Sequence, residues 1–362
     1  MTDPLLAVVS PVFTVNGELA GSLARDCVRL EVAEGCEGLR TLQAHFVAVG
    51  PGATGPPSNM LYLDGQTVDF GKSIEVSLGP SSAQRTVFEG TISCIEAAYP
   101  DSEPPRVVVY AEDALMRLRM TRRMRTYKDV TDADIAGQIA TEHGLQSEIA
   151  AEGPRYDVVQ QVNQSDLAFL RERARLLHAE VWCTGRKLHF TSRPRRQGTA
   201  LTLVQGNELL SVRLRADLAH QRSEVVVTGY DASTRAVIDE RAGVDVVEGE
   251  AASGLTGPRV LEKALGASVS MRVRETALNA GEATAWAKAE MLRRGRGFVT
   301  AVGTTRGSPD MVVGSNLSLQ SVGPPFDGTG YYVTWVHHIF EHEHGLRTGF
   351  EAERSTVNEV SA

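Results

Sequence analysis

Long apolar runs are missing from this sequence of 362 residues: no stretch approaches the ~18 consecutive apolar residues of a membrane-crossing helix, so no membrane insertion is expected. Cysteine is scarce. Cys27, Cys36, Cys94 and Cys183 show no C-x-x-C spacing, which argues against a disulfide framework or a thiolate zinc site, and they read as reduced thiols buried in the core. Positive charge is short as well. The net charge is −8, with 37 Lys and Arg against 45 Asp and Glu, and specific nucleic-acid binding needs a basic face first. No Lys or Arg precedes Arg25, so the start lacks the charged region of a signal peptide, and synthesis in a bacterial cytoplasm is expected. Gly (34) and Pro (15) stay below the levels of disordered or collagen-like chains.

What is present is a chain of two to three domains' length. Its charge comes in blocks. Residues 1–112 carry 6 basic and 14 acidic side chains, and residues 113–196 carry 15 and 11. Such blocks suit an acidic surface of one copy facing a basic surface of another.

Hydropathy patterning divides the chain in the same places. Cys27–Val32, Ile74–Leu78 and Thr86–Ile92 alternate with the period of two that half-buried strands require. Turn clusters separate them at 50–52, 55–59, 64–65 and 100–105, which argues for an antiparallel barrel or sandwich. The period then changes. Thr131 with Asp134 marks a helix start, Ile135, Ala136, Ile139 and Ala140 form its apolar stripe, and Gly144 suits its end. A second helix runs from about Ser165, with Leu167, Leu170, Ala174 and Leu177 on one face and Arg171, Arg173 and Arg175 expected outside. Strands around Gly185 follow, making a small α+β unit. Strand patterning resumes at Ser211–Leu214 and Glu224–Gly229, and a third helix opens at Asn279 with Glu282 three residues on. Short strands fill 298–354.

Three local signals invite chemistry, and each has a plainer account. His337, His338, His342 and His344 lie within eight residues beside Glu341 and Glu343. On a strand His338, His342 and His344 would share a face, yet no metalloprotease spacing is present and a hairpin must turn just before Gly345; no metal is expected. Phe70-Gly71-Lys72-Ser73 resembles the end of a phosphate loop, but Gln66 stands where a glycine is required and a strand pattern follows. The basic run Arg117–Arg125 lacks the interleaved aromatics of single-strand binders, and a solvated edge or a contact to an acidic neighbouring subunit fits it better. No G-x-S-x-G elbow and no nucleophile–base arrangement is visible, so neither catalytic residues nor a cofactor is expected.

Several segments match a known pattern in order and spacing. They are Tyr127–Ala136, Ile139-Ala140 and His143-Gly144-Leu145; then Tyr156-Asp157, Gln161–Arg171 and Leu188-His189-Phe190; then Gly307–Gly314, Val322-Gly323, Phe326-Asp327-Gly328 and Tyr332–His337. Together they resemble the phage late control D family, the hub family of contractile tails and type VI secretion, over about residues 110–355. His178 departs from the family, which usually has glycine there; a left-handed histidine carries strain.

The resemblance implies an α+β, mainly β fold: two tube-protein-like antiparallel β-barrel domains with an inserted small α+β domain. The expected divisions are 1–112 for the first barrel and 113–199 for the insert. The second barrel is then split into 200–235 and 296–356 around an excursion at 236–295, and 357–362 is a tail. It also implies a homotrimer that joins a hexameric inner tube protein to a separate spike protein, other baseplate proteins alongside, with a tape-measure protein or cargo in its lumen. The particle would be a phage tail, a tailocin or an extracellular injection system. A carbohydrate- or surface-binding β protein is the alternative, and a His-rich metallohydrolase a third.

Overall fold

The computed structural model describes residues 10–50, 60–79, 84–266, 270–273 and 275–359, so the predicted turn clusters at 51–52 and 55–59 and the end of the tail lie outside the described residues. The chain is mainly β, with antiparallel pairing predominating, and a thirteen-stranded sheet is its frame.

One half of that sheet runs Cys27–Gly35, Thr41–Val47, Arg106–Glu112, Arg85–Ala98, Ser73–Leu78, Val12–Val15 and Glu18–Leu19, all antiparallel. Alternation does the sorting: Leu42, Ala44 and Phe46 turn inward from Thr41–Val47 while their neighbours face outward. They join Phe13, Leu30, Ile74 and Phe88 in one core, where Phe13 and Phe46 meet edge to face at 5.3 Å. The other half runs Leu209–Ala216, Val299–Arg306, Gly345–Arg354 and Gly328–Glu341. Asn316–Gln320 branches from the last of these and pairs in parallel with Ala200–Val204. Its core gathers Leu209, Val299, Leu317, Tyr331, Val333 and Phe350.

The halves are fused. Trp335 to Glu341 pairs antiparallel with Gly35 to Arg29, so Gly328–Glu341 is an interior strand joining both. This seam strand places Tyr331, Val333 and Val336 in the second core and Phe340 in the first. An ion pair between Arg29 and Glu341, and His337 Nε2 at 2.9 Å from a Glu31 carboxylate oxygen, tie the strands side by side.

The middle block folds as the pattern predicts. Thr131 and Asp134 form a reciprocal capping box on the helix Asp132–Glu142, and Gly144 follows in the left-handed region at φ 65°. Ser165 caps Asp166–Leu177, and His178 ends it at φ 51°, ψ 37°. Arg173 corrects the expected exposed face. It lies three residues after Leu170 and four before Leu177, on the apolar stripe. It is buried, donates from Nε to Asp132 Oδ1 at 2.5 Å, and stacks 4.4 Å from the Tyr156 ring.

A further unit carries the third helix. Glu224–Asp231 pairs with Ala236–Gly243 and Ser270–Arg272 in a separate sheet, and Val225 and Val227 pack under the helix Ala280–Arg296. That strand was assigned above to the second barrel. Its hairpin partner Ala236–Gly243 and the helix it packs under both lie within 236–296, so in pairing and packing it goes with that segment and not with the second half-sheet. Gly229 is required here: a Cβ would stand 1.9 Å from the Ala277 carbonyl oxygen.

Candidate functional site

The first half-sheet, the insert and the second half-sheet meet in a buried cluster of charges. Glu34 ends the inward-facing series Leu30, Val32, Glu34 on its strand, where alternation puts a carboxylate under the sheet. Arg196 Nη2 donates to it at 2.6 Å and Arg40 Nε at 2.9 Å. Arg196 Nη1 also donates to Glu180 at 3.1 Å, and Glu180 accepts from Arg193 Nε at 3.3 Å and from the Tyr332 hydroxyl at 3.0 Å. Arg193 further pairs with Glu353. Three arginines thus face three glutamates, drawn from the first half-sheet, the insert and the second half-sheet.

Aromatic faces complete the packing. Arg196 lies 4.3 Å from the Trp182 ring and Arg193 4.3 Å from the Tyr332 ring. Burial pushes the Tyr332 hydroxyl well above its ordinary range, and nearby Glu180 adds to that shift. Burial works against the Arg193 charge, but Glu353 and Glu180 outweigh it and hold the guanidinium protonated. A charge cluster so complete fixes geometry, because removing one member strands the others in a poorly solvating interior.

The hinge from first half-sheet to insert is similarly built. Asp113 accepts from the amides of Arg40 and Leu115 at 2.9 Å each, and burial raises its carboxyl to about 6. Arg171 donates to the carbonyls of Glu37 and Gly38, and Arg175 reaches Glu275 across to the excursion. A cleft of about 350 Å³ opens beside the cluster, with Cys36, Arg171, Arg193 and Glu353 on its walls. Burial first, then Glu180, lift the Cys36 thiol to about 11, so it is no nucleophile at neutral pH.

The signals singled out in the sequence separate in space. The strand ends at Glu341, so His342 and His344 lie in the turn and share no strand face with His338. His338 is buried with Nδ1 3.0 Å from Thr348 Oγ1, and neighbouring His337 turns to Glu31. Burial, with Arg40 adding to it, depresses the His338 imidazole to about 4. Among the described residues no group of three or more His, Cys, Asp or Glu is placed to hold a metal ion. Lys72 spends its ammonium on the carbonyls of Gly65 and Gln66, and Ser73 opens a strand. In the basic run, Arg119, Arg123 and Arg125 pair with Glu112, Asp166 and Glu142 of the same chain, and Arg122 bonds Asn163. Cys27 and Cys183 are buried as expected; Cys94 is exposed, because its strand turns that position outward.

The charge cluster itself was not anticipated. Its visible signal was Glu34 at an inward position of an alternating strand; the long-range partners had none.

The architecture is that of tail proteins. The 43 kDa tail protein of prophage MuSo2 from Shewanella oneidensis superposes with a TM-score of 0.66 at 12% identity, covering 96% of this chain and 98% of that one. A tail protein from Neisseria meningitidis MC58 gives 0.62 at 12% identity, with 95% and 96% covered. The E. coli c3393 protein, a component of the type VI secretion system similar to the T4 bacteriophage tail proteins gp27 and gp5, gives 0.55 at 14%, with 93% and 76% covered. These likenesses agree with the resemblance carried by the motifs. The family model described as the Alg8 N-terminal domain matches residues 62–342, and the chain belongs to that family. No curated protein sequence matches the chain. Among the described residues no helix is long and apolar enough to cross a membrane.

Proposed function

We propose that this chain is a structural baseplate hub of a phage tail or contractile injection particle, acting by shape and rigidity rather than by catalysis. The observation that carries the proposal is the thirteen-stranded sheet of two half-sheets, each with its own core, in a fold shared with phage tail proteins and a type VI secretion component.

In this reading each half-sheet is a tube-like unit, one within 1–112 and one split between about 200–216 and 299–357. The insert at 113–199 and the excursion at about 219–297 stand beside them. Three copies then offer six tube-like units, which matches a trimer to a hexameric inner tube at one end and to a trimeric spike at the other. The strands Glu18–Leu19 and Leu209–Ala216 end the sheet and leave backbone groups for pairing between copies. The opposite net charges of residues 1–112 and 113–196 suit the same arrangement. A lumen along the three-fold axis would admit a tape-measure protein or cargo. The Francisella PdpA–VgrG complex, which contains a chain of this fold, supports a spike-associated place.

Mass photometry of the purified chain tests the proposal. The expected species has three times the 39.1 kDa chain mass, and it is retained by immobilised spike and tube proteins from the same particle. A monomer that binds neither protein overturns it.

A further inference from the structure

Side chains directly opposite each other on neighbouring strands favour unlike charges, and like charges there destabilise the ladder. Among the described strands two registers set like charges opposite each other. Glu75 stands opposite Glu89 where Ser73–Leu78 pairs with Arg85–Ala98. Arg306 stands opposite Arg347 where Val299–Arg306 pairs with Gly345–Arg354. All four side chains are exposed. Their strand neighbours Ile74, Val76, Phe88, Leu346 and Phe350 turn to the cores, so both pairs point away from them on the sheet's open face.

Neither pair is neutralised within its own chain. Arg306 and Arg347 have no side-chain partner among the described residues. Glu208, whose carbonyl accepts the Arg306 amide, has its carboxylate on the Val204 amide and Asn207. Glu75 accepts the Thr86 hydroxyl at 2.8 Å and no cation. Glu89 borders a cleft with Arg117 and Arg186 and forms no ion pair with either. Arg85 is turned to Asp310 and Lys72 to backbone carbonyls. In the basic run, by contrast, Arg119, Arg123 and Arg125 are paired within the chain.

The two mismatches are opposite in sign and lie towards opposite ends of the sheet. From the Leu209–Ala216 edge the cationic pair is on the second and third strands; from the Glu18–Leu19 edge the acidic pair is on the third and fourth.

We infer that these pairs are the two halves of one contact: the Glu75–Glu89 face of one copy seats on the Arg306–Arg347 face of the next. Each pair is repulsive in the isolated chain and becomes attractive once the opposite sign is placed over it. A head-to-tail closed ring needs one half on each end, because every copy then offers one and receives one. The inference rests on the hub reading, which supplies the second copy, and adds the residues through which copies meet.

Mass photometry over a concentration series tests it, using Glu75→Lys/Glu89→Lys, Arg306→Glu/Arg347→Glu, and the fourfold variant that carries both reversals. Each reversal keeps a like-charge pair in place, so the Tm of the dissociated chain is expected to stay near wild type while self-association weakens about tenfold or more. The fourfold variant is expected to return to within about threefold of wild type. Should a reversal not fold, Glu75→Gln/Glu89→Gln and Arg306→Gln/Arg347→Gln decide in its place. Both remove a repulsion, so the Tm of the dissociated chain is expected to rise while association weakens. A wild-type chain that stays monomeric overturns the contact, and the hub reading with it when spike and tube proteins are not retained either. A wild-type oligomer whose affinity either variant leaves unchanged, or that the fourfold variant fails to restore, overturns the contact alone.

Discussion

His338 and Asp113 pull the stability of this chain in opposite directions across mildly acidic pH. The His338 imidazole is depressed to about 4 in the folded chain, against an ordinary value of 6.5. Between those values the unfolded chain binds a proton that the folded chain refuses, so this contribution is full above pH 6.5 and is lost as pH falls towards 4. The loss is on the order of 3 kcal/mol. Asp113 is raised from 3.8 to about 6, so its folded form holds the extra proton and its contribution is lost as pH rises through 6. Denaturant unfolding from pH 4 to 7 separates the two: relative to wild type, His338→Asn shifts the slope towards greater stability in acid, and Asp113→Asn shifts it the other way. An unchanged slope in His338→Asn would show that the imidazole titrates normally. Arg196 offers a second test. It is 5% exposed and serves both Glu34 and Glu180. Arg196→Met leaves two carboxylates short of a partner and is expected to cost about 3–5 kcal/mol in a denaturation midpoint experiment.

Local signals made the elements legible. Thr131 with Asp134, Ser165, and Asn279 with Glu282 each mark a helix start that the structure reproduces, because a cap involves only three or four consecutive residues. Alternation likewise located Cys27–Gly35 and Ser73–Leu78. What alternation does not carry is the choice of partner strand. Glu224–Asp231 reads as a strand equally well in either sheet; Ala236–Gly243 behind a tight turn and the close passage of Ala277 over Gly229 decide it. The same blindness hid the charge cluster, whose members come from five separate segments. Gly229→Ala is expected to force the backbone at Ala277 away and cost about 1–3 kcal/mol, read from the melting of the isolated chain. A stability equal to wild type would mean that the excursion yields at that contact without cost.

Across the whole molecule, Phe340 tests whether the halves are one cooperative body. It lies on the seam strand, far along the chain from the first half-sheet, yet it is 4% exposed inside that half's core. Phe340→Ala is expected to cost about 3–5 kcal/mol. Hydrogen exchange would show the loss in Cys27–Gly35 and Thr41–Val47 as well as in the mutated strand. Protection lost from the seam strand alone would describe two units that open separately.

The seam also sets a timetable for synthesis. His337 sits beside Glu31 although 306 residues separate them. At about 5–20 residues per second, the flank of Cys27–Gly35 waits roughly 15 to 60 s on the ribosome for its last neighbour. An open edge of that length recruits other chains. Arg29 and Glu31 lie on it and are afterwards absorbed by Glu341 and His337, so the ion pairs of the finished sheet double as guards of the unfinished one.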